Sequence, residues 1–149
     1  MDTGNLVSLF FGFQGRINRA KYWLAVAVYF AIAIVLTVFA ITVGLIGGIL
    51  AILIALIIYI PMLISGVAVG IKRLHDRGKS GWWLLLFYGV PAVLGWVSGG
   101  MGGGMGGGMG GGMILSLVSF VISIWAIVEL GFLRGTPGAN AYGPDPLNL

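Results

Sequence analysis

Lys72-Arg73-Leu74-His75-Asp76-Arg77-Gly78-Lys79-Ser80-Gly81-Trp82-Trp83 is a short island of charge in a chain that is otherwise almost uniformly apolar. It holds four of the eight basic residues, the single histidine and one of the four acids. Long hydrophobic runs lie on both sides of it, and Trp82 and Trp83 mark where the second run begins. A polar loop between apolar runs, edged by aromatic rings, is the pattern of a chain that crosses a bilayer and turns back.

Composition agrees with that reading. The 149 residues are 59% hydrophobic and 8% charged, with a mean hydropathy of +1.08. A soluble domain carries roughly 25% charge. The expected fold is an all-α membrane protein: a four-transmembrane-helix bundle with an N-terminal interfacial helix and both termini cytoplasmic. One membrane domain covers 1–149. The chain has no cysteine, which excludes disulfides, thiolate chemistry and Cys-based metal sites. The net charge of +4 points, beside spans of this length, to anionic membrane lipid as the partner and not to nucleic acid. The first basic residues are Arg16, Arg19 and Lys21, and the run after them is too long for the core of a cleavable signal peptide. The first span is therefore expected to act as an uncleaved anchor.

Working outward from the island, the second span is expected over 49–71, kinked at Pro61, with Gly66 and Gly70 as a single helix-contact motif. An uncharged turn, 44–48, joins it to a first span over 22–43, which Tyr22 and Trp23 anchor at the interface. Residues 1–21 form the interfacial segment. Leu6, Leu9, Phe10 and Phe13 have helical spacing, and a continuous helix places Arg16, Arg19 and Trp23 on one face. Gly4, Gly12 and Gly15 weaken that helix.

Beyond the island (72–81), the third span is expected over 82–97. Sixteen residues rise only about 24 Å, and Gly89-Val90-Pro91 interrupts them, so this span must borrow length from the glycines, thin the bilayer or re-enter. A Gly/Met-rich external loop, 98–113, leads to the fourth span, 114–133, and to a turn-rich tail, 134–149. With four spans, all eight basic residues fall on one side, while 44–48 and 98–113 carry none. The positive-inside rule makes that side cytoplasmic. Gly15–Trp23, Arg73–Trp83 and Gly135–Pro146, which includes Asn140, then meet on one face. Asp76 is the expected partner of Arg16 or Arg19, and Glu129 that of Arg134 or a loop base.

Phe13-Gln14-Gly15-Arg16-Ile17-Asn18-Arg19-Ala20-Lys21-Tyr22-Trp23, Arg73-Leu74-His75-Asp76 with Ser80-Gly81-Trp82-Trp83, and Gly135-Thr136-Pro137-Gly138-Ala139-Asn140-Ala141-Tyr142-Gly143-Pro144-Asp145-Pro146 resemble the three signatures of one family. It is the domain of unknown function 805, a family of small bacterial inner-membrane proteins. The resemblance covers most of the chain in the right order. It implies a multi-pass protein of the bacterial inner (plasma) membrane and implies no established activity. The Gly/Met repeat departs from the family pattern and lies away from all three signatures.

The chemistry on offer is limited. His75 beside Asp76 suggests acid–base work, but neighbours in sequence rarely face one another, and a lone histidine makes a poor metal site. Their expected role is to fasten the loop to the N-terminal arginines. Lys72, Arg73, Arg77 and Lys79 could grip lipid phosphates, or serve only as topology signals. Met101, Met105, Met109 and Met113 could present soft thioethers to Cu(I). The intervening glycines, each costing about 1 kcal/mol against alanine in a helix, favour a flexible linker instead. No catalytic residue and no cofactor is assigned. The favoured reading is a non-enzymatic module whose cytoplasmic face (Arg16, Arg19, Tyr22, Trp23, Arg73, His75, Asp76, Arg77, Lys79, Ser80, Trp82, Trp83 and Asn140) binds anionic lipid or a partner protein. The alternatives are a small transporter or homo-oligomeric channel component, and a lipid-headgroup enzyme.

Overall fold

The computed structural model describes residues 6–103 and 109–147. Among them the structure is helical, with no strand beyond one isolated bridge between Asn140 and Gly143. Three helices are long and apolar enough to cross a membrane, Arg19–Val43, Leu53–Asp76 and Gly112–Phe132, and a fourth apolar helix, Leu85–Ser98, is shorter. The chain is a helical membrane bundle.

Helix α1 (Leu6–Phe11) is much shorter than the amphipathic pattern predicts. The chain leaves the helix at Gly12, turns at Gly15 with a φ of 88°, and restarts at Asn18, whose side chain caps the Lys21 amide at 2.9 Å. An asparagine in extended conformation is a strong helix start. Arg16 therefore stands in a loop, off the helical face that carries Arg19 and Trp23.

The stretch Arg19–Asp76 is helical except at Gly48, whose φ of 42° and ψ of −114° divide it into α2 (19–47) and α3 (49–76). Left-handed φ is strained for any residue with a β-carbon, so glycine is suited to this break. The two helices run antiparallel. The Tyr29 and Ser65 hydroxyls meet at 2.7 Å, and the Ile17 amide donates to the Lys72 carbonyl. The chain stays helical through Pro61.

The island is not a loop over its whole length. Helix α3 continues to Asp76, and only then does a tight turn with Gly78 at a φ of 69° lead into Trp82 and Trp83. An Arg73–Asp76 pair one turn apart extends the helix beyond its apolar part.

The third segment begins with a π-helical turn, Leu85–Gly89, and continues as α4 (Val90–Gly103). Pro91 has no N–H to give to the carbonyl four residues back. The wider turn answers this by pairing the Val90 amide with the Leu85 carbonyl. The segment thus takes length from the glycine tract, which is helical through Gly103 on one side and from Met109 in α5 (Met109–Ile127) on the other. The helix is tolerated because the two strands of the tract pack closely: Ser98 Oγ bonds the Gly112 carbonyl and Ser116 Oγ, both at 2.9 Å. Of the methionines considered for copper, Met105 lies outside the described residues, as do the side chains of Met101 and Met109. Met113 is exposed.

Packing is uneven along the bundle. Ala25, Val69, Leu74, Phe87, Ala126 and Leu130 are buried near the charged end. Further along, Phe30, Val35, Ile41 and Ile57 face outward. Apolar side chains pointing away from the bundle are what a bilayer solvates. The interior of this protein is therefore densest where its charges are.

Candidate functional site

Several helices end at the charged face, and a helix end leaves backbone carbonyls without partners. In a membrane interface these carbonyls need donors, and the negative end of the helix dipole prefers cations. Arg19, Trp23, Lys72 and Arg73 meet that need. Helix α5 closes in a π-helical turn, Val128–Phe132. Arg73 Nε donates to the Leu130 carbonyl at 2.6 Å and its Nη2 to that of Leu133 at 2.5 Å. Trp23 Nε1 takes Gly131 at 3.0 Å, and Arg19 Nη1 takes Phe132 at 3.0 Å. Four consecutive carbonyls are thereby capped from two other helices. Lys72 does the same for α1, donating to Ser8 at 2.7 Å and to Leu9.

Asp76 is the hub. Its Oδ1 accepts from Arg16 Nε at 3.2 Å and Nη2 at 3.1 Å, and its Oδ2 accepts from Arg73 Nη1. All three side chains are at least 96% buried. Arg16 then reaches the tail, donating to the carbonyls of Thr136 and Gly138, each at 2.6 Å. The tail returns the contact: the Thr136 amide and hydroxyl both donate to the Asp76 carbonyl. Gly135 passes so close that a β-carbon there would lie 2.0 Å from Asp76 Oδ2. No side chain fits at that position. Arg16, not Arg19, is thus the partner of Asp76.

A second acid, Glu129, is 4% exposed and binds Arg77 Nε and Lys79 Nζ, each at 3.0 Å. These are loop bases; Arg134 contributes only its carbonyl, which Arg77 also bonds. Lys79 lies 4.6 Å from the centre of the Trp83 ring, and Trp83 packs edge-on against Trp125. Ser80 orders the turn by accepting the Trp82 amide, while Trp82 itself is 78% exposed. Tyr22 is buried beside Trp23, the two rings meeting edge to face.

His75 and Asp76 diverge. His75 Nδ1 meets the Gly15 carbonyl at 3.2 Å, and its ring stacks on Tyr142 at 3.9 Å. Asn140 Nδ2 holds the His75 carbonyl and Thr136 Oγ1, and its Oδ1 accepts from the Tyr142 amide. The histidine fastens the loop, as expected, but onto a backbone carbonyl and a tyrosine ring and not onto an arginine. Asp145 ties the end of the tail, accepting from the Gly138 and Leu147 amides, which hold its carboxyl below the usual range.

Lys72 and Arg73 are thus 3% and 0% exposed and committed to internal carbonyls. Neither presents its charge on the outer surface, because helix ends take most of their donors. The cations that face outward are Arg19 and Arg134, with Lys21 partly covered. Arg19 and Arg134 flank a pocket of about 260 Å³ that also touches Arg73, Asp76, Thr136 and Asp145. The sequence assigned Lys72 only a surface role, offered Gly135 and Lys21 only as parts of family signatures, and offered Arg134 as a topology marker and a possible partner of Glu129.

A family model described as "Protein of unknown function (DUF805)" matches residues 10–144. Among curated proteins, the Escherichia coli K12 "Uncharacterized protein YiiR" is 31% identical, covering 91% of this chain and 86% of its own length. The "Inner membrane protein YhaI" and "Inner membrane protein YhaH" of the same strain are each 30% identical over 91% of this chain and 86% and 87% of their own. No solved structure matches. With these relatives and its apolar helices, the chain is a multi-pass inner-membrane protein.

Proposed function

The chain belongs to the DUF805 family, and on that footing we propose that it is a non-enzymatic membrane module whose charged face lies in the cytoplasm and binds anionic lipid headgroups. One observation carries this reading. Both buried acids at this end, Asp76 and Glu129, are each held by two cations inside the fold, so among the described residues Arg19, Lys21 and Arg134 face outward without a salt bridge. Asp145, the acid near Arg134, already accepts two backbone amides. That leaves a net positive surface at the height of the headgroups, with a pocket of about 260 Å³ beside Arg19 and Arg134. Arginine suits phosphate because its donors form a planar fork.

The interlocked interior supports binding over catalysis. Asp76 is saturated by guanidinium groups, and His75 is occupied by Gly15 and Tyr142. Neither is poised to move a proton on a substrate.

The test is the electron paramagnetic resonance spectrum of spin-labelled lipids around the protein in nanodiscs. Labelled phosphatidylglycerol should show a larger immobilised fraction than labelled phosphatidylcholine. Each surface cation contributes about 1 kcal/mol, so Arg19→Gln/Arg134→Gln should cut the relative affinity for phosphatidylglycerol by roughly thirtyfold, and added salt should weaken it as well. Equal immobilisation of both lipids by the unaltered protein would overturn the reading.

A further inference from the structure

Helix α1, the 12–17 loop and the tail enclose a second, larger cleft of about 520 Å³, a volume typical of small-molecule sites. Leu9, Phe13, Ile17, Pro144 and Pro146 make most of its wall apolar. Lys72 lies in the same lining, 97% buried, with no acid bonded to it among the described residues. Its ammonium has three donors, and the bonds to the Ser8 and Leu9 carbonyls use two. Lys21, also in the lining, stands near enough to repel it.

Two cations at one end of an apolar cleft call for an anion carrying a hydrocarbon chain, since a buried charge is costly unless matched. The other charged groups in the lining are already satisfied. Arg16 is bound to Asp76 and the tail, and the Asp145 oxygens each take a backbone amide. Phe13 at the wall is 44% exposed, and Leu6, Val7 and Phe11 of the adjoining helix face outward. The cleft therefore opens beside the apolar side of α1, where a helix of this kind meets the bilayer.

We infer that this cleft binds one anionic, acyl-chain-bearing lipid, with its headgroup on Lys21 and Lys72 and a chain along Leu9, Phe13 and Pro144. The inference rests on the lipid-binding reading above, but it uses a separate pocket and, apart from Lys21, separate side chains.

Photo-crosslinking tests it. The full-length protein is placed in nanodiscs with phosphatidylglycerol or phosphatidylcholine bearing a diazirine in one acyl chain, and labelled peptides are mapped by mass spectrometry. Phosphatidylglycerol should concentrate its label on residues 8–17 and 144–146, and phosphatidylcholine should not. Lys21→Gln, a change at a partly exposed side chain, should lower the cleft labelling by about tenfold, the effect of one charge-assisted hydrogen bond. Arg19→Gln/Arg134→Gln should leave cleft labelling in place. Cleft labelling that is equal for the two lipids, or indifferent to Lys21→Gln, overturns the inference. If phosphatidylglycerol is still preferentially immobilised by Arg19 and Arg134 while the cleft stays unlabelled, the site is refuted and the broader reading stands; if no preference exists anywhere, both fall.

Discussion

Asp76→Ala removes the one carboxylate that two buried guanidinium groups share. Arg16 loses two charge-assisted bonds at 3.2 and 3.1 Å, and Arg73 loses its ion pair. The arginines keep their carbonyl partners on the tail and on α5, so the charges are left close together and unneutralised. Breaking a buried pair from one side costs roughly 3–5 kcal/mol. The damage should be local. The spans do not depend on this carboxylate, whereas the tail is held to α3 in part through it, beside the Thr136, Asn140 and Tyr142 contacts. Limited proteolysis of residues 134–147 reads the population of the open tail when opening is fast relative to cleavage. At about 1.4 kcal/mol per tenfold, even the lower figure raises that population about a hundredfold, until the tail is fully open. Cleavage of Asp76→Ala at the same rate as the unaltered protein would refute the hub role of Asp76.

Three further outcomes are expected. Gly135→Ala should free the tail almost as effectively as Asp76→Ala, because its β-carbon would fall 2.0 Å from Asp76 Oδ2; wild-type resistance to the same protease would show that the approach is looser than described. Single cysteines at Ala141 and Met113 should label from opposite faces of intact cells, Ala141 from the cytoplasm, and labelling from one face would sink the proposed topology. The Asp145 carboxyl is held below its usual value by the Leu147 and Gly138 amides. A depressed acid contributes stability above its unfolded value, about 3.9, and loses it as pH falls through the folded value. The end of the tail should therefore loosen only in acid below about pH 4, seen as faster amide exchange at Gly138 and Leu147, and Asp145→Asn should abolish that pH dependence.

The spans and the meeting of three distant segments were legible in the sequence because hydropathy and charge asymmetry act over long windows. What the cations do there was harder to read. A basic residue can be assigned to an acid by inspection, but Lys72, Arg73 and Arg19 serve backbone carbonyls, which have no signature of their own. The position of Arg73 and Lys72 at the ends of apolar runs was the available signal, since helix C-termini attract cations. The extension of α3 into the island as far as Asp76 runs against the general association of charge with loops. Asn18 did announce the start of α2, and reading it as an N-cap would have placed Arg16 off the helix. That Asp76 pairs with an N-terminal arginine followed from topology, which left Arg16 and Arg19 both open, whereas the need for Gly135 depends on the path of a tail that composition does not fix.

The most direct test of the central claim is native mass spectrometry of the protein released gently from its own membrane, beside Arg19→Gln/Arg134→Gln. The unaltered protein should emerge with anionic phospholipid attached, and the variant, still folded by the protease criterion, should retain measurably less of it. A bare protein, or one carrying zwitterionic and anionic lipid in the proportions of the membrane with no change in the variant, would contradict the assignment of this face to anionic lipid.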